Sequence, residues 1–251
     1  SGNTVTNVDY SLFAWGGAGG TATFTSNQVD GQGRPGSIGI YVTTGPDAWA
    51  TWQSNVAVSL VGNTVSNVDY GMYLETDEDG TYDLTASASG QTFTDAGAEL
   101  ALAGLGDFAL TGVASADVAV FAPGRIQLGI DVATAGGRVV VGAGTYHERL
   151  VVTKPLSLLG AQLGVDPTPP EARTDPADES LVDLVGVPLV NPNVLLEIPA
   201  GVTDVSVSGF TLAGSEVMNW ADEDVIRFWD DRMVFEDNIL TGYYAVHGRN
   251  D

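Results

Sequence analysis

The residues best suited to chemistry in this sequence are carboxylates, and the densest group lies between 75 and 83 (ETDEDGTYD). Three aspartates there, Asp77, Asp79 and Asp83, surround a glycine. Hard cations such as Ca²⁺ take several oxygen ligands from a tight loop, which this pattern supplies. The full spacing of an EF-hand calcium loop, with its terminal glutamate, is missing. The pattern therefore predicts either a calcium site at Asp77, Asp79 and Asp83 or a solvated acidic turn.

A second acidic group, between 222 and 237, includes arginines. Asp230, Asp231 and Arg232 are consecutive, and carboxylates beside an arginine can act as acid, base or nucleophile on a glycan. The chain has a single lysine and two histidines, so few basic groups are available for catalysis. We therefore expect a chain without catalytic residues, and we take Asp230, Asp231 and Arg232 as the candidates if it is an enzyme.

Aromatic side chains are the third group with binding chemistry. A ring on a groove can stack on a sugar, because stacking combines apolar contact with a polar rim. The alternative is that each ring covers one structural repeat against the next. The rings that fall mainly beside predicted loops, and that we expect to contact glycan, are Trp15, Trp49, Trp52, Tyr73 and Trp229.

The elements that carry these residues are built from an internal repeat. Positions 2–10 (GNTVTNVDY) return at 62–70 as GNTVSNVDY, which indicates similar units stacked on one another. Each unit reads as short β-branched runs separated by polar corners. Asparagine suits a corner because it tolerates left-handed backbone and its amide can bond the amides above and below. The predicted structural column consists of Asn3, Asn27, Asn63 and Asn238, with Gln91 as a fifth member.

Composition supports a folded, turn-rich β protein. The chain has 251 residues, of which 44% are apolar, 16% are charged and 32 are glycine. A net charge of −23 disfavours nucleic acid and anionic membrane surfaces as partners. There is no cysteine, and no apolar run approaches the ~20 residues that span a bilayer. An acidic surface suits a saline or calcium-containing exterior, although solubility alone explains it equally well.

One segment departs from the strand pattern and leads to a resemblance. Apolar residues between 125 and 135 recur with helical spacing, and the glycine pair that follows is expected to end this short helix. After it come 144–148 (GTYHE) and 154–160 (KPLSLLG). Residues 125–161 resemble the opening of right-handed parallel β-helix proteins of the pectin lyase-like superfamily. In that superfamily a capping helix precedes a strand, a Gly-Thr-Tyr-x-Glu turn and a Lys-Pro-Leu-x-Leu-x-Gly strand.

The resemblance continues through 205–212 and 233–246, and the first hundred or so residues look like later coils of the same architecture. It implies an all-β fold, a right-handed parallel β-helix (solenoid) with a short internal capping helix near 125–135. It implies no single activity, because the superfamily includes lyases, hydrolases, esterases, adhesins and structural proteins. Pectin methylesterases place a catalytic aspartate in a Gln-Asp-Thr-Leu element, where this chain reads ILTGYY at 239–244. That departure argues against esterase chemistry.

The order of these parts predicts two segments. We expect 1–117 to be coils from the later part of one β-helix, and 118–251 to be a capping helix and the first coils of another, stacked on or continuous with it. The expected function is a non-catalytic structural or adhesive module of a secreted or cell-surface repeat protein, such as a repeat unit of a longer fibre. The alternatives are a polysaccharide-active lyase or hydrolase and a carbohydrate-binding module. Expected partners are other copies or segments of the same repeat protein and polysaccharide, without nucleic acid or membrane insertion. No cofactor is required, and calcium is the candidate ion.

Overall fold

The computed structural model describes residues 1–16, 21–45, 53–168, 173–188, 190, 193–214, 224–229, 232–242 and 244–248. Within them the chain is mainly β, with strands paired in parallel and one α-helix, which confirms the predicted all-β class at this level. Contacts between residues divide the chain into two compact units, unit 1 (Ser1–Val118) and unit 2 (Ala119–Asp251). The assignment of 1–117 and 118–251 to late and first coils stays a prediction.

Unit 1 contains short strands joined by tight corners. In chain order its strands are β1 (Thr4–Thr6), β2 (Tyr10–Trp15), β3 (Thr21–Thr25), β4 (Gln28–Asp30), β5 (Ile38–Thr43), β6 (Val56–Val61), β7 (Thr64–Glu75), β8 (Leu84–Ser89), β9 (Thr92–Ala103) and β10 (Phe108–Thr111). Strand β11 (Ser115–Phe121) crosses the boundary to unit 2.

The strands of unit 1 recur in a fixed order. Strands β1, β4, β7 and β9 are neighbours in one sheet, and β2 and β5 pair along a second path that joins the C-terminal half of β7. Strands β3, β6, β8 and β10 form another sheet in that order. The chain therefore returns to the same position in each sheet once per repeat. The register is continuous, since Thr4 pairs with Gln28, Gln28 with Thr64, and Thr64 with Thr92.

The interior of unit 1 is apolar and tightly filled. On β5 Ile38, Ile40 and Val42 are buried, while Tyr41 between them is on the outer side, as the strand period of two requires. Gly39 lies so close to β7 that an added Cβ would be 2.3 Å from Val65 Cγ1. Only glycine leaves room for this contact.

In unit 2 successive strands belong to three different sheets in turn. Its strands are β12 (Ala133–Val141), β13 (Gly144–His147), β14 (Leu150–Val151), β15 (Leu156–Leu159), β16 (Ser180–Asp183), β17 (Leu196–Ile198), β18 (Val205–Ser208), β19 (Phe210–Ala213), β20 (Asp224–Phe228), β21 (Met233–Glu236), β22 (Ile239–Thr241) and β23 (Tyr244–Gly248). Within unit 2 the sheet orders are β12-β15-β18-β21, β13-β16-β19-β22 and β14-β17-β20-β23. Every third strand therefore stacks on the same sheet, and a short 3-10 helix (Pro176–Asp178) precedes β16.

The helix of unit 2, α1 (Ile126–Val132), is shorter than the predicted 125–135. Ala133 already has extended backbone, with φ −61° and ψ 141°, and it begins β12. The glycine pair Gly136-Gly137, expected to end the helix, lies inside that strand. From Gly137 onward β12 pairs with β15, a contact between distant parts of the sequence that helical spacing alone does not reveal.

Two residues of the recognised motifs hold the ends of α1. Glu148 Oε1 and Oε2 accept hydrogen bonds from the backbone N–H groups of Ile126 (2.6 Å) and Gln127 (3.0 Å), which have no partner within the helix. At the other end Lys154 Nζ donates to the carbonyl of Asp131 at 2.8 Å. A negative group at the first turn and a positive group at the last both favour the helix dipole.

The column asparagines in unit 1 do not adopt the left-handed backbone expected to favour asparagine at the corners. The left-handed residues are Gly2, Ser26, Gly62 and Gly90, each one position before a member of the predicted column, with φ between 53° and 66°. Asn7 and Asn67, at the second corner of the repeat, are themselves left-handed. The column members are therefore selected for their amides, and the residue before each supplies the backbone turn.

No helix in the described part of the chain is long and apolar enough to cross a membrane.

Candidate functional site

Among the described residues of unit 1, five aromatic rings on the outer side contact one another in a continuous group, which we term the aromatic face. Its members come from β2, β5 and β7, where register pairs Phe13 with Tyr41 and Tyr41 with Tyr73. The members of the aromatic face are Tyr10, Phe13, Tyr41, Tyr70 and Tyr73.

The rings are spaced by the stacking of the strands. The ring centroids of Phe13 and Tyr41 are 5.2 Å apart, and those of Tyr41 and Tyr73 are 5.5 Å apart. Neighbouring strands lie about 4.8 Å apart, so one ring per strand gives a row. Tyr10 stacks on Tyr41 at 5.6 Å, and Tyr70 meets Tyr73 edge to face at 5.6 Å.

The aromatic face is open to solvent at one side and half-buried at the other. Tyr10 and Phe13 are 58% and 49% exposed, which is unusual for such large side chains, whereas Tyr41, Tyr70 and Tyr73 are half-buried. An exposed row of rings offers flat apolar surface with hydroxyl groups at its rim, the combination that stacks on sugars.

A carboxylate lies against this row. Glu75 Oε2 accepts a hydrogen bond from the Tyr41 hydroxyl. Burial, and then the charge and hydrogen bond of Glu75, hold the pKa of Tyr41 well above its usual range. Burial and the charge of Glu75 also raise the pKa of Tyr73, and burial followed by the charge of Asp69 raises that of Tyr70. These phenols therefore remain neutral hydrogen-bond donors at physiological pH.

Of the five predicted glycan contacts, Tyr73 belongs to the aromatic face. Trp15, at the end of β2, packs beside Gly45, where an added Cβ would be 2.8 Å from Trp15 Nε1. Trp229 lies in unit 2, where the Arg227 guanidinium is 6.0 Å from its ring centroid. Trp49 and Trp52 lie outside the described residues.

Sequence reasoning did not select Tyr10, Phe13 or Glu75. A signal for the first two was present, because Tyr10 and Tyr70 end the two copies of the repeated segment, and Phe13 and Tyr73 follow at equal distances. Aligning the copies places an aromatic residue at both positions of each. The sequence alone places Glu75 in the acidic turn, because its proximity to Tyr41 depends on pairing between strands remote in sequence.

The carboxylates of the acidic turn bind backbone. Asp77 is buried, and its two oxygens accept hydrogen bonds from the N–H groups of Thr81 (2.7 Å) and Tyr82 (2.9 Å). Asp79 accepts from Thr81, and Asp83 accepts from Asp107 at 3.1 Å. In the described part of the chain, no three His, Cys, Asp or Glu residues are grouped to hold a metal ion. Calcium binding by Asp77, Asp79 and Asp83 stays a prediction, which calorimetric titration with calcium tests.

The catalytic candidates fall partly outside the described residues. Asp230 and Asp231 are not described. Arg232 has left-handed backbone (φ 64°) and an exposed side chain whose Nη2 is 3.0 Å from Asp204 Oδ2 and 2.8 Å from Thr203 Oγ1. Its contacts in unit 2 are thus those of a surface ion pair.

The predicted asparagine column is divided between the units. In unit 1 each member donates to the next, since the Nδ2 atoms of Asn3 and Asn27 bond the Oδ1 atoms of Asn27 and Asn63 at 3.0 Å and 2.8 Å. Asn63 Nδ2 donates to Gln91 Oε1 at 3.0 Å, so the fifth member lies in the same column.

Asn238, in unit 2, makes the backbone half of the same arrangement. Its Oδ1 accepts a hydrogen bond from Phe210 N at 3.0 Å. Its Nδ2 donates to the carbonyl of Val207, which lies three residues before Phe210, at 2.8 Å. Asn63 likewise accepts from Asn27 N, at 3.0 Å, and donates to Phe24 O at 2.9 Å. Phe210 thus takes the position that Asn27 holds in unit 1, without an amide to extend the column.

Compared with protein-family models, with curated proteins and with solved structures, the chain matches none. Inferences about its function therefore rest on its own residues.

Proposed function

We propose that this chain is a non-catalytic, right-handed parallel β-helix module of a secreted or cell-surface repeat protein, and that it is adhesive because its aromatic face binds polysaccharide. The observation that carries the proposal is the row formed by Phe13, Tyr41 and Tyr73 on the outer side of stacked strands. Other copies or segments of the same repeat protein are its proposed protein partners.

The β-helix is supported by strand order. Each unit returns to the same sheets in the same sequence, and the strand pairs of the described residues are parallel with continuous register. Connections between parallel strands are right-handed in about 98% of cases, which favours that hand. The resemblance of 125–161 to the opening of pectin lyase-like proteins points the same way, and Glu148 and Lys154 of its motifs hold the helix ends.

Glycan binding is supported by the chemistry of the face. Sugar rings present C–H groups that pack on aromatic faces, while their hydroxyls bond polar groups at the rim. The hydroxyls of Tyr41 and Tyr73 and the carboxylate of Glu75 provide such a rim. A non-catalytic role is favoured because Arg232, the described catalytic candidate, pairs with Asp204.

Affinity electrophoresis in gels that contain soluble polysaccharides tests this function. The wild-type protein is expected to be retarded by at least one polysaccharide, and the double variant Tyr10→Ala/Phe13→Ala, which changes two exposed rings, is expected to migrate freely. Tyr82→Ala, a tyrosine outside the aromatic face, is the matched control and should behave as wild type. Equal retardation of all three proteins would contradict the proposal.

The catalytic alternative is measured on the same polysaccharides. Release of reducing ends, or of unsaturated products, above that of a heat-treated sample would show an enzyme and would overturn the non-catalytic reading. Electron microscopy of the native protein addresses the proposed assembly, for which filaments or defined multimers are expected.

A further inference from the structure

The aromatic face has a negative electrostatic character. Glu75 contacts Tyr41 and raises the pKa of both Tyr41 and Tyr73, so its charge acts on two rings of the row. Asp69 precedes Tyr70 and acts on that phenol in the same direction. Among the described residues, the Tyr41 hydroxyl is the hydrogen-bond donor that the Glu75 carboxylate meets.

One arginine of unit 1, Arg34, pairs with the residue that precedes Tyr10. Asp9, which precedes Tyr10, pairs with Arg34 at 2.8 Å, and Arg34 also donates to Asn7 at 3.3 Å. These contacts neutralise the charge at the Tyr10 edge but leave Glu75, at the opposite edge, without a cationic partner among the described residues. The chain as a whole carries a net charge of −23, which disfavours an anionic ligand.

Ring faces and a carboxylate attract the same kind of group. The face of a tyrosine ring carries partial negative charge and attracts ammonium groups, and a neighbouring carboxylate adds a direct ionic contact. A hydroxyl that donates to a carboxylate also makes its own ring more electron-rich, which strengthens the attraction. A neutral sugar uses the stacking surface alone, whereas an amino sugar uses both features.

We propose that the aromatic face selects an amine-bearing polysaccharide, a polymer of glucosamine type, over neutral and acidic polysaccharides. This inference rests on the proposed function, since it names the ligand class of the same site. The sugar rings stack on Phe13, Tyr41 and Tyr73, and a protonated amine pairs with Glu75.

A matched pair of oligosaccharides tests the selection, namely a β-linked glucosamine oligomer and the same oligomer with every amine acetylated. Binding is measured by isothermal titration calorimetry at two salt concentrations. The free amine is expected to strengthen binding by about tenfold, the range of an ion pair added to a cation–π contact. Glu75→Gln should remove this preference while the acetylated oligomer still binds.

Three control variants separate the ring, charge and hydrogen-bond effects. Asp95→Asn removes the same charge from an exposed left-handed position that asparagine suits, and it should keep the preference. Tyr10→Ala/Phe13→Ala should weaken the binding of both oligomers. Tyr41→Phe keeps ring and carboxylate, so its preference for the amine should persist, and circular dichroism checks that every variant is folded.

Several outcomes would overturn the inference. If the acetylated oligomer binds equally well and depends on the rings, the selection fails but the polysaccharide-binding function stands. If no oligomer or polysaccharide binds, the proposed function itself fails. Binding of the amine oligomer that is unchanged by loss of the rings and disappears with salt would be non-specific attraction, and tighter ring-dependent binding of an arginine-rich peptide would indicate a protein ligand instead.

Discussion

Asn27 directs two donors at a single oxygen of Asn63, with its Nδ2 at 2.8 Å and its backbone N at 3.0 Å from Asn63 Oδ1. Both residues are buried, at 1% and 0% exposure, and lie 36 positions apart in the sequence. The amide of Asn63 thereby replaces a missing backbone acceptor at the corner and links two repeats. Leaving a buried N–H without an acceptor destabilises the fold by about 1–3 kcal/mol. This is more than the roughly 1 kcal/mol that a typical hydrogen bond contributes to stability.

Asn63→Ala is therefore expected to destabilise unit 1 strongly. The change leaves both donors of Asn27 and the Phe24 carbonyl without their partner. Loss of two or three buried hydrogen bonds predicts a fall in the free energy of unfolding of about 3 kcal/mol or more. Urea denaturation followed by circular dichroism measures it.

Asn3→Ala is the control, because Asn3 occupies the exposed end of the same column. Its loss removes hydrogen bonds near water, and the expected cost is below about 1 kcal/mol. Equal effects of the two substitutions would show that the column contributes nothing beyond local solvation.

Arg173 is expected to stabilise unit 2 through its contacts with Glu179 and Asp237. Its side chain is 1% exposed, its Nε donates to Glu179 Oε1 at 2.9 Å, its Nη2 also pairs with Glu179, and its Nη1 donates to the carbonyl of Asp237 at 2.6 Å. Arg173→Met leaves the buried Glu179 carboxylate without its cation, although the Thr211 hydroxyl still donates to it at 2.8 Å, which predicts a loss of about 3 kcal/mol. Thermal and urea unfolding of the variant measure this loss.

The double variant Arg173→Met/Glu179→Leu distinguishes a charge effect from general damage. Removing both charges should restore part of the stability lost in Arg173→Met, because a buried pair replaced by apolar groups is close to neutral. A double variant less stable than either single variant would refute this account of the anchor.

Glu148 is expected to give unit 2 a stability that falls as pH rises through the acidic range. Burial raises the pKa of Glu148 in the folded state above its ordinary value of 4.5, despite the opposing hydrogen bonds from Gln127 and Ile126. Between 4.5 and the raised pKa the folded chain keeps a proton that the unfolded chain has lost, so stability decreases with pH there and is level above.

Glu148→Gln lacks this titration and supplies the comparison. The stability of wild type minus that of the variant should fall as pH rises through this window, as urea unfolding at a series of pH values would show. A difference that instead grows with pH would mean that the helix N–H groups outweigh burial and hold the folded pKa below its ordinary value.

Gly39→Ala is expected to disturb the interior of unit 1. The added Cβ would lie 2.3 Å from Val65 Cγ1 and 2.8 Å from the carbonyl oxygen of Gly71, so the strands must separate at a cost of about 1–3 kcal/mol. Val65→Ala removes the closer obstacle, and the double variant should cost clearly less than the two single changes added together. If the destabilisations of the two single variants simply add in the double variant, the strain does not arise from contact between residues 39 and 65.

Much of the strand pattern could be predicted from local sequence. The repeated segment marks the corners at Asn3 and Asn63, and the alternation around Val56 and Leu60 marks an inward side, because both depend on periods of a few residues. The helix near Ile126 was identified for the same reason.

The site could be predicted only in part, since it depends on register between strands. The sequence offers Tyr73 as one candidate ring, but its contact with Tyr41, 32 residues earlier, depends on the pairing of β5 with β7. Which outward residues become adjacent depends on the length of each connecting corner, and those lengths vary. For the same reason the sequence indicates an acidic turn at Glu75, although its carboxylate accepts a hydrogen bond from Tyr41.

The intervals between successive members of the asparagine column, 24, 36 and 28 residues, differ while the hydrogen bonds between them stay alike. Chain length is thus absorbed entirely at the connections, and the stack responds only to what stands at the corner. A protein organised in this way can gain or lose surface loops in evolution while the packing of its interior stays the same. The same connections are natural places to graft foreign peptides, because the column on either side keeps its own alignment.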